Sequence, residues 1–163
     1  MADILVAYFS RSGTTERLAG ELGRRLGADL DPIRARTSYA GAAGFRRGVW
    51  QSILRRTPDV EFQKDPADYA VVVLAGPIWA GRLAAPLLAY VKANQGRIVG
   101  AAALCVSGSG GAYPKAFRQL TALLGRPPAA TLALAERDVG AGKAGVKLDA
   151  FAAAVRSRIS KAA

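Results

Sequence analysis

Ile4-Leu5-Val6-Ala7-Tyr8-Phe9-Ser10-Arg11-Ser12-Gly13-Thr14-Thr15-Glu16-Arg17-Leu18 decides how this 163-residue chain is read. Ile4 to Phe9 is apolar or aromatic without alternation, as a strand covered on both faces is. Ser10 to Thr15 follows, with four hydroxyl side chains in six positions and Gly13 to free the backbone. From Glu16 the spacing turns helical, with Leu18, Ala19, Leu22 and Leu26 on one face. A buried strand therefore ends in a donor-rich loop that opens a helix. Such a loop offers unpaired N–H groups and a favourable dipole to an anion, a phosphate above all. A blander alternative is that Ser12, Thr14 or Thr15 simply caps the helix.

The same unit recurs along the chain. Ala28–Arg36 reads as a second strand, and Pro32 places it at a sheet edge because proline cannot donate to a ladder. Phe45, Val49 and Ile53 recur every four residues and predict a helix to about Arg56, with Trp50 beside the row as a packing residue. Thr57–Asp68 is a polar connection. Tyr69–Ala75 is a third strand, ending at Gly76-Pro77-Ile78-Trp79-Ala80-Gly81, and a helix with Leu83, Leu87, Leu88 and Val91 follows. Pro86 falls in its first turn, where proline is tolerated. Ile98–Val106 is a fourth strand, ending at Ser107-Gly108-Ser109-Gly110-Gly111-Ala112-Tyr113. Pro114 opens a helix with Phe117, Leu120 and Leu124. Ala129–Ala135 is the fifth strand, and Leu148, Phe151, Ala152, Val155 and Ile159 mark the last helix.

Five βα repeats make an α/β domain spanning residues 1–163, with a five-stranded parallel sheet and helices on both faces. An edge position for the second strand selects the order 2-1-3-4-5. Ligands bind beyond the carboxyl ends of such strands, where the order reverses. Strands one, three and four then lie side by side, and their three unusual loops converge. Trp79, between Gly76 and Gly81, is read as stacking on a ligand in preference to core packing.

Composition narrows the chemistry. The chain has no histidine, which removes Ser-His-Asp and Cys-His catalysis and most zinc sites. Its single cysteine, Cys105, lies in an apolar run and reads as a small core residue. The scattered carboxylates show no metal-ligand spacing, so any chemistry is expected to come from a bound cofactor. No apolar run is long enough to cross a bilayer, and nothing in Met1-Ala2-Asp3 or beyond resembles a secretory signal. A cytoplasmic protein is expected. Net charge is +11. Arg24-Arg25, Arg34, Arg36, Arg46-Arg47, Arg55-Arg56, Arg156, Arg158 and Lys161 fall on separate predicted elements, so they read as solvated faces and argue against a nucleic-acid tract.

With these loops in place the chain resembles the flavodoxin family, of the short-chain type, over essentially its whole length. Ser10-x-Ser12-Gly13-x-Thr15 matches the family's phosphate loop. Gly76-Pro77-Ile78-Trp79-Ala80-Gly81 matches the loop that sets an aromatic against the flavin, and Val106-Ser107-Gly108-Ser109-Gly110-Gly111 the loop over the other face. The resemblance implies non-covalent FMN, with Ser10, Arg11, Ser12, Gly13, Thr14 and Thr15 around its phosphate. It implies Pro77, Ile78, Trp79, Ala80 and Gly81 beside the isoalloxazine and its N5, and Ser107, Gly108, Ser109, Gly110, Gly111 and Tyr113 opposite, Tyr113 as a second stacking aromatic. The partner so implied is a redox protein or a small-molecule electron acceptor. A flavin-dependent quinone reductase and an FMN-free basic binding module are the alternatives. The family's carriers are typically acidic, so a charge of +11 points away from a basic partner. Gly140-Ala141-Gly142-Lys143-Ala144-Gly145 spells G-x-G-x-x-G, but no further strand with an acidic residue can follow before Ala163, so it reads as a connection.

Overall fold

The computed structural model describes residues 3–54 and 56–162, the side chains as far as residue 159. Arg55, Met1, Ala2 and the side chain of Lys161, all invoked above, lie outside the described residues. In chain order the elements are β1 (Ile4–Tyr8), α1 (Thr14–Leu26), β2 (Asp29–Pro32), β3 (Arg34–Ala35), α2 (Gly41–Ile53) and β4 (Val60–Glu61). They continue as β5 (Val71–Trp79), β6 (Arg82–Leu83), α3 (Ala85–Ala93), β7 (Ala101–Ser107), α4 (Pro114–Leu124), β8 (Thr131–Ala135), α5 (Glu136–Gly140) and α6 (Gly145–Ala162).

The main sheet runs β2-β1-β5-β7-β8, all parallel, which is the expected 2-1-3-4-5 order of the five principal strands. Its central strands β1, β5 and β7 are largely apolar without alternation because each face carries helices. Val6, Val73 and Leu104 point to one side, against Leu18 and Leu22 of α1 and Leu148, Phe151 and Val155 of α6. Leu5, Val72, Leu74, Ala103 and Cys105 point to the other, against Leu87, Tyr90 and Val91 of α3 and Leu120 of α4. Burial pushes the Cys105 thiol up to about 12, so it stays protonated and behaves as a small hydrophobe.

Edge strand β2 is held by a buried carboxylate. Asp31 is fully enclosed, and its two oxygens accept from the N–H groups of Gln63 (3.1 Å) and Lys64 (2.8 Å). This ties the segment after β4 to the sheet. Asp31→Ala leaves two part-buried N–H donors without their acceptor and is expected to cost about 1–2 kcal/mol, measured by urea unfolding; Asp31→Asn, which keeps one acceptor, should lose less. Tyr90 has the opposite problem. Its hydroxyl is buried with no hydrogen-bond partner among the described residues. Tyr90→Phe is expected to stabilise by about 1 kcal/mol and raise Tm by roughly 2–4 °C.

Several expectations change. The second strand ends at Pro32 instead of Arg36, and Arg34–Ala35 pairs antiparallel with Val60–Glu61, inside the expected connection, as a separate two-stranded sheet. The third strand does not stop at Ala75 but runs to Trp79, still paired to β7 through Gly76–Cys105 and Pro77–Val106. On the other side β1 has ended at Tyr8, opposite Ala75, so β5 is an edge there and tolerates Pro77. Leu83 accordingly lies in β6 and not in the helix after it. Helix α2 is rotated from its hydrophobic period, so that of the expected row only Val49 still packs on the core. Its buried face is Gly44, Gly48 and Ser52, while Phe45, Ile53 and Trp50, which is 62 % exposed, face outward. Close approach explains this: a Cβ on Gly44 would stand 2.4 Å from the Tyr39 carbonyl carbon, and one on Gly48 2.5 Å from the Trp79 ring. The helix sits flush on residues that leave no room for large side chains. Finally, β8 continues directly into the short helix α5, where only a connection was expected. Among the described residues no helix is long and apolar enough to cross a membrane.

Candidate functional site

The loop after β1 opens helix α1 without spending its hydroxyls on a cap. The N-cap is Gly13, at φ 92°, and no side chain caps the helix. A left-handed residue is needed here, and glycine adopts it without steric cost. The Ser10 hydroxyl accepts from the Gly13 N–H at 3.1 Å and so shapes the loop from within. Helix-capping by Ser12, Thr14 or Thr15 is thereby set aside. The first-turn N–H groups of α1 keep their dipole and their free donors.

Ser12 and Thr14 do something else. Both hydroxyls donate to one oxygen, Oε1 of Glu136, at 3.5 and 3.2 Å. Glu136 opens α5 at the end of β8, more than 120 positions along the chain. Two donors converging on one anionic oxygen is the geometry of an anion cradle, here met by the protein's own carboxylate. Thr15 is buried at the base of the loop.

The β1–α1 loop with the first residues of α1, the carboxyl end of β5, and the end of β7 with Gly108 border a hollow of about 210 Å³. Arg11, Ser12, Thr14 and Thr15 line it from the first, Pro77, Ile78 and Trp79 from the second, and Ser107 and Gly108 from the third. The convergence expected from strand order is therefore present. Phe45 of α2 and Glu136 also line it. Arg11 lies over the Phe45 ring, 5.1 Å from its centroid, so this cation is held at the rim by an aromatic face. Hollows that hold small molecules usually begin at about 300 Å³, and this one is smaller.

Several anticipated residues stand elsewhere. Ser10, Gly13, Ala80, Gly81, Ser109, Gly110, Gly111 and Tyr113 do not line the hollow. Trp79 borders it but is only 3 % exposed. Its ring packs edge-on to Phe9 (5.7 Å between centroids) and tilted against Tyr39 (5.2 Å), with Gly48 beneath it. The expected free stacking face is used in the core instead, because α2 closes over it.

Tyr113 turns back on its own loop. Its hydroxyl lies 2.6 Å from both the Ser107 and Ser109 hydroxyls. Burial pushes this phenol up, but hydrogen bonds with Ser107, Ser109 and the Gly111 backbone outweigh it and hold it below the ordinary tyrosine value. A stacking aromatic over the hollow is therefore not what Tyr113 supplies in this structure.

The hairpin between β5 and β6 turns through Ala80 and Gly81, both with positive φ (50° and 73°), as a tight two-residue hairpin turn requires. Ala80 and Tyr113 (φ 46°) are the only non-glycine residues with positive φ among the described residues. Both belong to loops flanking the hollow, and backbone strain of this kind collects at ligand sites.

Phe45 and Glu136 were missed by sequence reading. Phe45 looked like a core position of α2, and nothing near Glu136 announces that the fifth strand's end reaches the first loop.

No protein-family model matches the chain, and no curated protein does. Solved structures do. A flavoprotein from Lactobacillus acidophilus NCFM in complex with FMN is 16% identical, over 80% of this chain and 92% of that one, with a TM-score of 0.68. A candidate flavoprotein from Bacteroides eggerthii DSM 20697 is 23% identical, over 93% and 99%, with a TM-score of 0.70. A second, from Bacteroides uniformis ATCC 8492, is 19% identical, over 90% and 98%, with a TM-score of 0.67. At these identities the likeness shows the fold.

Proposed function

We propose that this chain, whose fold is flavodoxin-like, binds FMN without covalent attachment and carries electrons through it. The observation that carries the reading is the convergence of three loops on one hollow, with an uncapped helix N-terminus and two hydroxyls aimed at an anionic oxygen. That donor set fits a phosphate: the hydroxyls of Ser12, Thr14 and Thr15 and the first N–H groups of α1 would hold it, with Arg11 at the rim adding charge. The L. acidophilus neighbour solved with FMN supports the choice of ligand. When bound, the flavin would supply one- and two-electron redox chemistry.

The protein's contribution is then to place and shield the ring. Pro77 and Ile78 form one wall, Ser107 and Gly108 the other. Trp79 stiffens the first wall from behind through Phe9 and Tyr39. The backbone of the Ala80–Gly81 turn offers polar groups beside that wall.

An electron carrier also needs a docking face. Arg82, Lys92, Lys115 and Arg118 line a groove between α3 and α4, and none is in an ion pair among the described residues. Arg82 pairs across the hairpin with Trp79, so the groove begins beside the flavin wall. Charge complementarity points to an acidic redox protein as partner.

The test is the visible spectrum of purified protein given excess FMN and freed of unbound ligand. Flavin absorbance at one FMN per chain is expected. Colourless protein would contradict the reading and favour a basic module without flavin. Steady NAD(P)H oxidation with a quinone, and no separate reductase, would replace the carrier by a reductase.

A further inference from the structure

We infer that Glu136 is a resident anion of the phosphate cradle, and that its charge sets how strongly the site favours a phosphorylated flavin over an unphosphorylated one. The inference rests on the FMN reading and deepens it. Oε1 of Glu136 takes both the Ser12 and Thr14 hydroxyl bonds. It occupies the point on which those donors converge, the position an acceptor oxygen of a phosphate would compete for. Glu136 is exposed, so its carboxylate can leave the cradle for water.

Two consequences follow. The loop is ordered before any ligand arrives, because both hydroxyls already have an acceptor. An incoming phosphate must displace a carboxylate and then remain near it, and like charges a few ångströms apart repel appreciably even beside water. Arg11, the one cation lining the hollow among the described residues, is held over Phe45 on the rim and offsets this only in part. Riboflavin, which lacks the phosphate, does not compete for the cradle and does not meet the repulsion.

The experiment compares wild-type protein with Glu136→Gln, which keeps an acceptor oxygen for the two hydroxyls and removes the charge. Affinities for FMN and riboflavin are measured by fluorescence quenching. FMN is expected to bind the variant about tenfold or more tightly, with riboflavin unchanged. An FMN affinity that is unchanged or weakened overturns the inference. So does an equal shift for both flavins, which would place the carboxylate at the sugar chain or ring. If neither protein binds FMN, the flavin reading fails and inorganic phosphate decides the rest. Greater thermal protection of the variant by phosphate supports Glu136 as the competing anion, and equal protection overturns it.

Discussion

Trp79→Ala is expected to lower the unfolding free energy by about 3–5 kcal/mol. Domains of this kind have only about 5–15 kcal/mol in total, so the variant should stand near the edge of folding at 37 °C. The loss comes from one place. The indole is almost fully buried and joins three elements: Phe9 after β1, Tyr39 before α2, and the glycine face of α2 itself. Removing it leaves a void that Gly44 and Gly48 cannot fill, since neither has a side chain to move inward. Urea unfolding reads the effect as a lower midpoint with a similar slope. Trp79→Phe, which keeps an aromatic plate, should lose less than half as much. Trp50→Ala on α2 should change stability little, because that indole is mostly in water.

The second large effect is on binding. Replacing Ser12, Thr14 and Thr15 together by alanine is expected to weaken FMN about a hundredfold or more, while riboflavin changes only a few-fold. Each hydrogen bond to a charged group contributes about 1.5–3 kcal/mol, and at least two are lost. The fold should survive, because Ser12 is exposed, Thr14 is half-buried and none of the three caps α1. Thr15 is buried, and Thr15→Ser serves as the milder variant at that position. The check is a fluorescence titration alongside a thermal melt. A parallel loss for FMN and riboflavin would mean that the loop holds something other than the phosphate.

Much of the fold was legible in the sequence, because buried parallel strands announce themselves as unbroken apolar runs. Pro32 placed β2 at an edge, and with only five strands this pointed to the order 2-1-3-4-5 and so to the convergence at the ends of strands one, three and four. What stayed hidden depends on close approach and on distance along the chain. Helix α2 carries Phe45, Val49 and Ile53 in a helical row, yet it packs through Gly44 and Gly48. Periodicity counts apolar side chains and so cannot register a face built by their absence. Trp79 was misjudged for the same reason, since the lid that buries it is that glycine face. Tyr113 is claimed by its own loop: it is a left-handed residue at the start of α4, and its hydroxyl hydrogen-bonds with Ser107 and Ser109. The meeting of Glu136 with Ser12 and Thr14 is a tertiary contact with no local signature at either end.

The most direct test of an FMN site at these three loops is a proton–nitrogen correlation spectrum of labelled protein titrated with FMN. Amides of Ser12, Thr14 and Thr15, with those of Ile78 and Gly108, are expected to move most, and riboflavin should leave the first three nearly still. Shifts centred on the α3–α4 groove, or no saturable shifts at all, would contradict it.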